Sequence, residues 1–129
     1  MHTRNETIEN YLESIYLLNE KGPVRAIDIV HYFNYSRPTV SVAIKQMQQD
    51  GYINVEHNII TLTPSGLDVA LTIYERHQLI AQILVQLGVD PEVASEDSCK
   101  IEHDISPESF EAIKQAYKLY QDFQKEQDK

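Results

Sequence analysis

Residues 36–66, SRPTVSVAIKQMQQDGYINVEHNIITLTPSG, decide the fold because they change from helical to strand periodicity within a short span. Ser36 is a favourable helix N-cap, and Pro38 suits the first turn, where its missing N–H breaks no hydrogen bond. Asp50-Gly51 ends this predicted helix. Its apolar face consists of Val40, Ile44 and Met47.

Two short strands are predicted after this helix, and two helices before it. Tyr52-Ile53-Asn54-Val55 and Ile59-Ile60-Thr61-Leu62 are β-rich, with Glu56-His57-Asn58 as the turn between them. Upstream, apolar residues spaced three and four apart predict a helix ended by Gly22-Pro23, then a second helix near Ala26–Tyr35. The apolar positions are Ile8, Leu12, Ile15 and Leu18 in the first helix, and Ile27, Val30 and Phe33 in the second. Three helices followed by a hairpin is the order of a winged helix-turn-helix.

The second half of the chain is predicted to be helical. Thr63-Pro64-Ser65-Gly66 starts a long helix to about residue 87, and Gly88-Val89-Asp90-Pro91 separates it from another helix at about 91–104. Ser106-Pro107-Glu108 caps a last helix, to about residue 125. Its apolar stripe, which indicates a core or a dimer seam, consists of Phe110, Ile113, Tyr117, Tyr120 and Phe123. The predicted fold class is therefore mainly α with a small β-hairpin.

The formal net charge of −9 is distributed unevenly. Residues 1–65 carry five bases against seven acids, whereas residues 66–129 carry six bases against thirteen acids. The acid excess suits a cation site, although most surface acids are simply solvated. A lone cysteine, Cys99, excludes an intramolecular disulfide, and no apolar run approaches the length that spans a bilayer. The N-terminal residues lack a secretory signal, so we expect a cytoplasmic protein that does not bind membranes.

The start of the third helix is the candidate DNA-reading surface, because a recognition helix exposes its first turns to the major groove. Arg37 can bind guanine or phosphate, and hydroxyl groups there suit phosphate oxygens. The candidate DNA-binding residues are Ser36, Arg37, Pro38, Thr39, Ser41 and Lys45. Since few positive charges line this surface, we expect binding to depend on dimerisation. The alternative is a winged helix used for protein contacts or as the scaffold of a subdomain, because fold alone does not determine function.

The segment from Asp97 to Asp104 carries the candidate metal chemistry. Cys99, Glu102 and His103 stand at i, i+3 and i+4, so a helix places thiolate, carboxylate and imidazole on one face. Those donors suit Fe(II), Co(II), Zn(II) or Mn(II) rather than calcium, which prefers oxygen alone. His77 could add an imidazole. Each of these residues also has an ordinary interpretation, because free cysteines are usually buried apolar groups and most histidines are not ligands.

Other functions are compatible with the same residues. The chain could be a winged-helix regulator that responds to an organic effector or to oxidation of the Cys99 thiol, or a protein–protein adaptor. An enzyme is the least favoured class, because the sequence has no Gly-rich phosphate loop and no hydrolase elbow.

Five stretches in order give the chain a resemblance to the diphtheria-toxin-repressor/manganese-transport-regulator family of metal-dependent repressors. They are Glu9–Tyr16 (ENYLESIY), Ser36–Ser41 (SRPTVS), Ile60–Gly66 (ITLTPSG), Tyr74–His77 (YERH) and Cys99–His103 (CKIEH). The resemblance implies a winged helix-turn-helix domain at residues 1–65 and a helical metal-binding and dimerisation domain at residues 66–129. It also implies a homodimer on a palindromic operator, repression of metal-uptake genes and no small organic ligand.

The resemblance further implies that the metal ligands are Glu13, His77, Cys99, Glu102, His103 and Asn10. Asn10 departs from the family, whose manganese branch has Asp there and whose iron branch has Met. Cys99 matches the iron branch, whereas the manganese branch has Glu, and a thiolate favours softer ions than Mn(II). We therefore expect Fe(II) first and Mn(II) next. Ala81 and Ser95 replace ancillary ligands of the iron branch, which favours one principal metal per subunit.

Overall fold

A computed structural model describes residues 3–127 of the chain. Over this range the protein has six helices and one two-stranded antiparallel hairpin, which confirms the predicted fold class. The elements are α1 (Thr3–Asn19), α2 (Ala26–Phe33), α3 (Arg37–Gln49), β1 (Ile53–Glu56), β2 (Ile59–Leu62), α4 (Pro64–Gln86), α5 (Pro91–Asp104) and α6 (Pro107–Gln127).

The start of α3 follows the local chemistry of its sequence. The Ser36 hydroxyl accepts a hydrogen bond from the Thr39 backbone N–H at 3.2 Å, and proline occupies the first turn. The serine satisfies one of the free amides that begin every α-helix, and the proline removes another because it has no N–H. The buried residues of α3 are Val40, Ala43 and Met47, so the predicted face is correct at its two ends.

The hairpin turn is tighter than predicted. Glu56 pairs with Ile59 in the ladder, which leaves His57 and Asn58 as a two-residue turn with positive φ angles of 53° and 66°. Turns with two left-handed residues match the natural twist of paired strands. Glu56, expected in the turn, therefore belongs to β1.

The core of the first half is built from α1, α2, α3 and the hairpin. Leu12, Ile15, Ile29, Met47 and Ile60 are its largest fully buried aliphatic side chains. Ile29 was not among the inward residues predicted for α2, and the three residues that were predicted are only half-buried. Because α2 has eight residues and is apolar on most of its surface, spacing alone leaves the centre of its buried face undetermined.

A crowded junction joins the hairpin to α4. The Thr63 backbone N–H donates to the Tyr52 carbonyl at 3.0 Å, and the Thr63 hydroxyl donates to the Gly51 carbonyl at 2.7 Å. The same hydroxyl accepts from the Gly66 N–H at 3.1 Å. A β-carbon at residue 66 would overlap the Tyr52 carbonyl oxygen, so this close approach of two backbones requires glycine.

The chain divides into two compact units, Met1–Tyr74 and Glu75–Lys129. The domain division after residue 65 stays a prediction. In the second unit the buried apolar side chains come from α4, α5 and α6 and include Ile80, Ala94, Phe110 and Tyr117. Of the predicted stripe on α6, Tyr120 and Phe123 remain about half exposed. Among residues 3–127, no helix combines the length and the apolar character needed to cross a bilayer.

Candidate metal centre and nucleic-acid interface

The helix α5 places three potential ligands together. Asp90 caps the helix by accepting from the Glu92 backbone N–H at 3.0 Å, and Pro91 starts its first turn. Cys99, Glu102 and His103 then share one face, and one potential ligand atom from each lies within 4.8 Å of the others. Glu102 and His103 are buried, while Cys99 is partly exposed.

Glu102 lies at the centre of this cluster with its side chain fully buried. Its Oε2 lies 3.2 Å from His77 Nδ1, and its Oε1 lies 3.4 Å from His103 Nε2. These are ion-pair distances for protonated rings, yet within residues 3–127 neither carboxylate oxygen has a hydrogen bond of acceptable geometry.

The residues around Glu102 fit a divalent metal ion. Burying a carboxylate without donors costs several kcal/mol. A cation held between the carboxylate and the neighbouring imidazole and thiol groups would offset that cost. The carboxylate, imidazole and thiol of this cluster form a mixed donor set that suits borderline transition ions, whereas His77 lies beside Glu102 but is not part of the cluster.

His77 lies on α4, and two hydroxyl groups of α5 hold its ring. Ser98 Oγ lies 3.1 Å from Nδ1, and Ser95 Oγ lies 3.3 Å from Nε2. Ser98 is fully buried and also donates to the Ser95 carbonyl at 2.9 Å. From the sequence, Ser95 was considered only as the residue that replaces an ancillary metal ligand. The sequence did not predict any role for Ser98. Ser98 stands one helical turn before Glu102, but a serine at that spacing is common on helices and does not by itself indicate a site.

Arg76, the neighbour of His77, is a second residue that motif reasoning did not single out. Its Nη1 donates to the Glu102 carbonyl at 3.1 Å and to the Ile105 carbonyl at 3.4 Å. The backbone of the ligand-bearing helix is therefore attached to α4 beside the His77 position. Asn10 and Glu13 lie one turn apart on α1 of the first unit, where both are partly buried.

The candidate DNA-reading residues are all exposed on α3 or at its N-cap. Arg37, Ser41 and Lys45 line a groove of about 620 Å³ that lies between α2, α3 and the hairpin. Arg25 and Asn58 also line this groove and were not predicted. Arg25 precedes α2 and Asn58 is in the hairpin turn, so only the folded chain brings them beside α3. Three positively charged side chains on one concave surface suit a phosphate backbone.

Comparison with known proteins identifies the family. Residues 5–59 match the N-terminal DNA-binding domain of iron-dependent repressors, and residues 63–122 match the metal-binding and dimerisation domain of the same family. The chain belongs to the iron-dependent repressor family, which confirms the resemblance found in the sequence.

Named relatives agree with this assignment. The chain is 36% identical over 112 residues to the transcriptional regulator MntR of Salmonella typhimurium, covering 85% of the chain and 71% of MntR. It is 34% identical over 107 residues to the diphtheria toxin repressor of Corynebacterium glutamicum, covering 80% of the chain and 46% of that repressor. The crystal structure of the metal-dependent transcriptional regulator MtsR superposes with a TM-score of 0.81 at 25% identity, over 86% of the chain and 53% of MtsR. The chain thus spans about half the length of the last two proteins.

Family membership establishes the general function. The protein is a metal-dependent, DNA-binding transcriptional repressor and not an enzyme. Its cofactor is a divalent metal, and its partners are DNA and a second copy of the chain.

Proposed function

We propose that this protein is a cytoplasmic repressor of metal-uptake genes that responds to Fe(II) first and Mn(II) next, and to no small organic ligand. The buried Glu102 carboxylate carries the proposal, because its oxygens face two imidazoles without a hydrogen bond from any residue in the range 3–127. The proposed ligands are His77, Cys99, Glu102 and His103 from the second unit, with Glu13 and Asn10 from α1. The two α1 ligands rest on the family resemblance.

Cys99 supports the choice of iron over manganese. A thiolate is a softer donor than the carboxylates that Mn(II) prefers, and affinity for sulfur ligands rises along the series from Mn(II) to Fe(II) and beyond. Asn10 contributes at most a neutral carbonyl oxygen. With Ala81 and Ser95 in place of further strong ligands, we propose one principal ion per subunit.

The repressor would read DNA with the groove around α3. Arg37 and Lys45 would contact phosphates or guanine, while Ser41 and Thr39 would bind phosphate oxygens through their hydroxyl groups. Ser36 and Pro38 would contribute mainly by holding the first turn of the helix, since the Ser36 hydroxyl is already bonded to Thr39 Oγ1 at 2.8 Å. A symmetric dimer carries two such helices, so we propose a palindromic operator.

Ligands from α1 and from α5 would couple metal binding to DNA binding. A bound cation supplies positive charge that holds carboxylate, imidazole and thiolate groups in one arrangement. Side chains from both halves of the chain would then favour the placement of the two recognition helices that matches the operator. Because coupling is reciprocal, operator DNA must tighten metal binding by the same factor.

The test combines metal analysis with DNA binding. Protein purified without oxygen should contain iron, and duplexes selected from a random pool in the presence of Fe(II) should be palindromic. Affinity for the selected duplex should rise at least about tenfold when chelator is replaced by Fe(II). Mn(II) should give a smaller response. Glu102→Gln should abolish the rise, while Glu96→Gln, at an exposed site on the same helix, should leave it intact. Equal affinity in chelator and in every divalent ion would overturn the metal-sensing proposal.

The same assay separates metal sensing from thiol sensing. Cys99→Ser should weaken the Fe(II) response but preserve DNA binding at saturating metal. A protein that instead loses DNA binding on oxidation, with no response to chelator, would be a redox regulator.

A further inference from the structure

We propose that Arg76 is a positioning residue that fixes the distance between the metal ligands His77 and Glu102 and links both to α6. This inference rests on the proposed metal site and adds to it a residue that touches no metal. Arg76 precedes His77 on α4, and its guanidinium reaches the end of α5.

The contacts of Arg76 are at the C-terminus of the ligand-bearing helix. Nη1 donates to the carbonyls of Glu102 and Ile105, at 3.1 Å and 3.4 Å. The last carbonyls of a helix have no partner within the helix and carry partial negative charge, so a guanidinium is well suited to bind them. The bonded carbonyl of Glu102 belongs to the same residue whose carboxylate faces His77.

A third contact extends this arrangement to α6. The Arg76 guanidinium carbon lies 5.3 Å from the centre of the Phe110 ring, within the range of a cation–π interaction. Phe110 is 6% exposed and lies in the first turn of α6, where its N–H bonds the Ser106 carbonyl at 2.9 Å. One side chain of α4 thus contacts both of the other helices of the second unit.

The position of Arg76 next to His77 indicates that it orients the metal ligands in addition to packing between the helices. His77 and Arg76 are adjacent on α4, so the arginine sets where the α5 backbone lies relative to His77. The result is a separation of 3.2 Å between His77 Nδ1 and Glu102 Oε2. The Arg76 Nε atom is buried and has no hydrogen-bond partner within residues 3–127, so placing this charged side chain here carries a free-energy cost. A residue that served packing alone would not need that charge.

Substitution at Arg76 tests the inference through Co(II), whose visible absorption reports the ligand geometry. Arg76→Lys keeps the charge but lacks the planar guanidinium that lies over the Phe110 ring, and Arg76→Met keeps apolar contact with Phe110. We expect both variants to bind Co(II) about ten-fold or more weakly and to show altered ligand-field bands. The alternative is that the only effect of the Arg76 charge is to repel the metal ion. In that case Arg76→Met would bind Co(II) more tightly than the wild type, and Arg76→Lys would bind it equally well.

Two controls keep the test decisive. Lys114→Gln breaks the exposed ion pair between Lys114 Nζ and Glu75 Oε2, 3.1 Å apart, which links α6 to α4 without touching α5. It should leave Co(II) affinity and spectrum unchanged. If the Arg76 variants do not fold, Phe110→Leu removes the ring face and should weaken binding by about three-fold. Wild-type spectra and affinities in the folded Arg76 variants, or in Phe110→Leu, would overturn the inference. A wild-type protein that binds no Co(II) would instead contradict the proposed function.

Discussion

Ser98 Oγ and His77 Nδ1 lie 3.1 Å apart, and the chemistry of this contact determines which ring nitrogen carries a proton. The single hydroxyl hydrogen of Ser98 is donated to the Ser95 carbonyl at 2.9 Å. Ser98 can therefore only accept from His77, so Nδ1 is the donor. Nε2 is left to accept from the Ser95 hydroxyl, 3.3 Å away.

The Ser98 contact predicts an unusual tautomer in the metal-free protein. In chelator, the neutral form of the His77 ring should carry its proton mainly at Nδ1. Ser98→Ala should increase the fraction protonated at Nε2, because the buried acceptor is lost. Nitrogen-15 NMR of the imidazole measures both forms. Ser109→Ala, at an exposed position on α6, serves as the control. An unchanged tautomer ratio in Ser98→Ala would contradict this assignment.

The buried carboxylate predicts opposite effects on stability and on metal binding. Glu102→Met replaces a charge that lacks hydrogen bonds with an apolar group of similar size. Metal-free protein should gain about 1 kcal/mol or more in its free energy of unfolding. The stabilisation that Fe(II) gives the wild type should disappear. Urea denaturation with and without metal measures both effects, and Glu96→Met provides the exposed comparison. A variant less stable than the wild type in chelator would show that the Glu102 charge is already compensated.

The groove beside α3 predicts a change in salt dependence. Lys45→Gln should make the plot of log affinity against log salt concentration shallower by about 0.9 for each copy that contacts a phosphate. Lys21→Gln removes an equal charge from an exposed turn outside the groove and should leave the slope unchanged. Fluorescence anisotropy over a range of salt concentrations measures the slope. Equal slopes for the two variants would place the DNA elsewhere.

The junction at Gly66 predicts a large effect of a single methyl group. Gly66→Ala introduces a β-carbon that overlaps the Tyr52 carbonyl oxygen, so the hairpin or α4 must move. Overpacking of this kind costs about 1–3 kcal/mol of unfolding free energy. The neighbouring Ser65→Ala, at an exposed site, should stay within about 0.5 kcal/mol of the wild type. Chemical denaturation distinguishes them, and a Gly66→Ala protein of wild-type stability would be inconsistent with the crowding.

Local chemistry made most of the fold predictable. Ser36 and Pro38 define the start of α3 through bonds within one turn, and the His57-Asn58 turn lies between two strand-forming segments. The exact burial of α2 was not predictable, because several of its eight residues are apolar and tertiary contacts select Ile29.

The candidate metal site also contains some residues that the sequence predicts and others that only the structure identifies. Spacing along one helix was enough to group Cys99, Glu102 and His103, since residues three and four apart share a face. The contacts of Ser98 and Arg76 join α4 to α5 across more than 20 residues of sequence, and their residue types are common on ordinary helices. No local pattern distinguishes them, so only the folded chain does.

The isolation of Glu102 from water also affects the metal concentration at which the repressor responds. The carboxylate loses its hydration shell when the protein folds, before any cation arrives, and folding bears that cost. When an ion binds, only the ion has to lose bound water, because the carboxylate is already dehydrated. The metal concentration at which the repressor switches should therefore depend on the packing that encloses residue 102 as well as on the ligands themselves. Substitutions that admit a water molecule there would shift the threshold without altering a single donor atom.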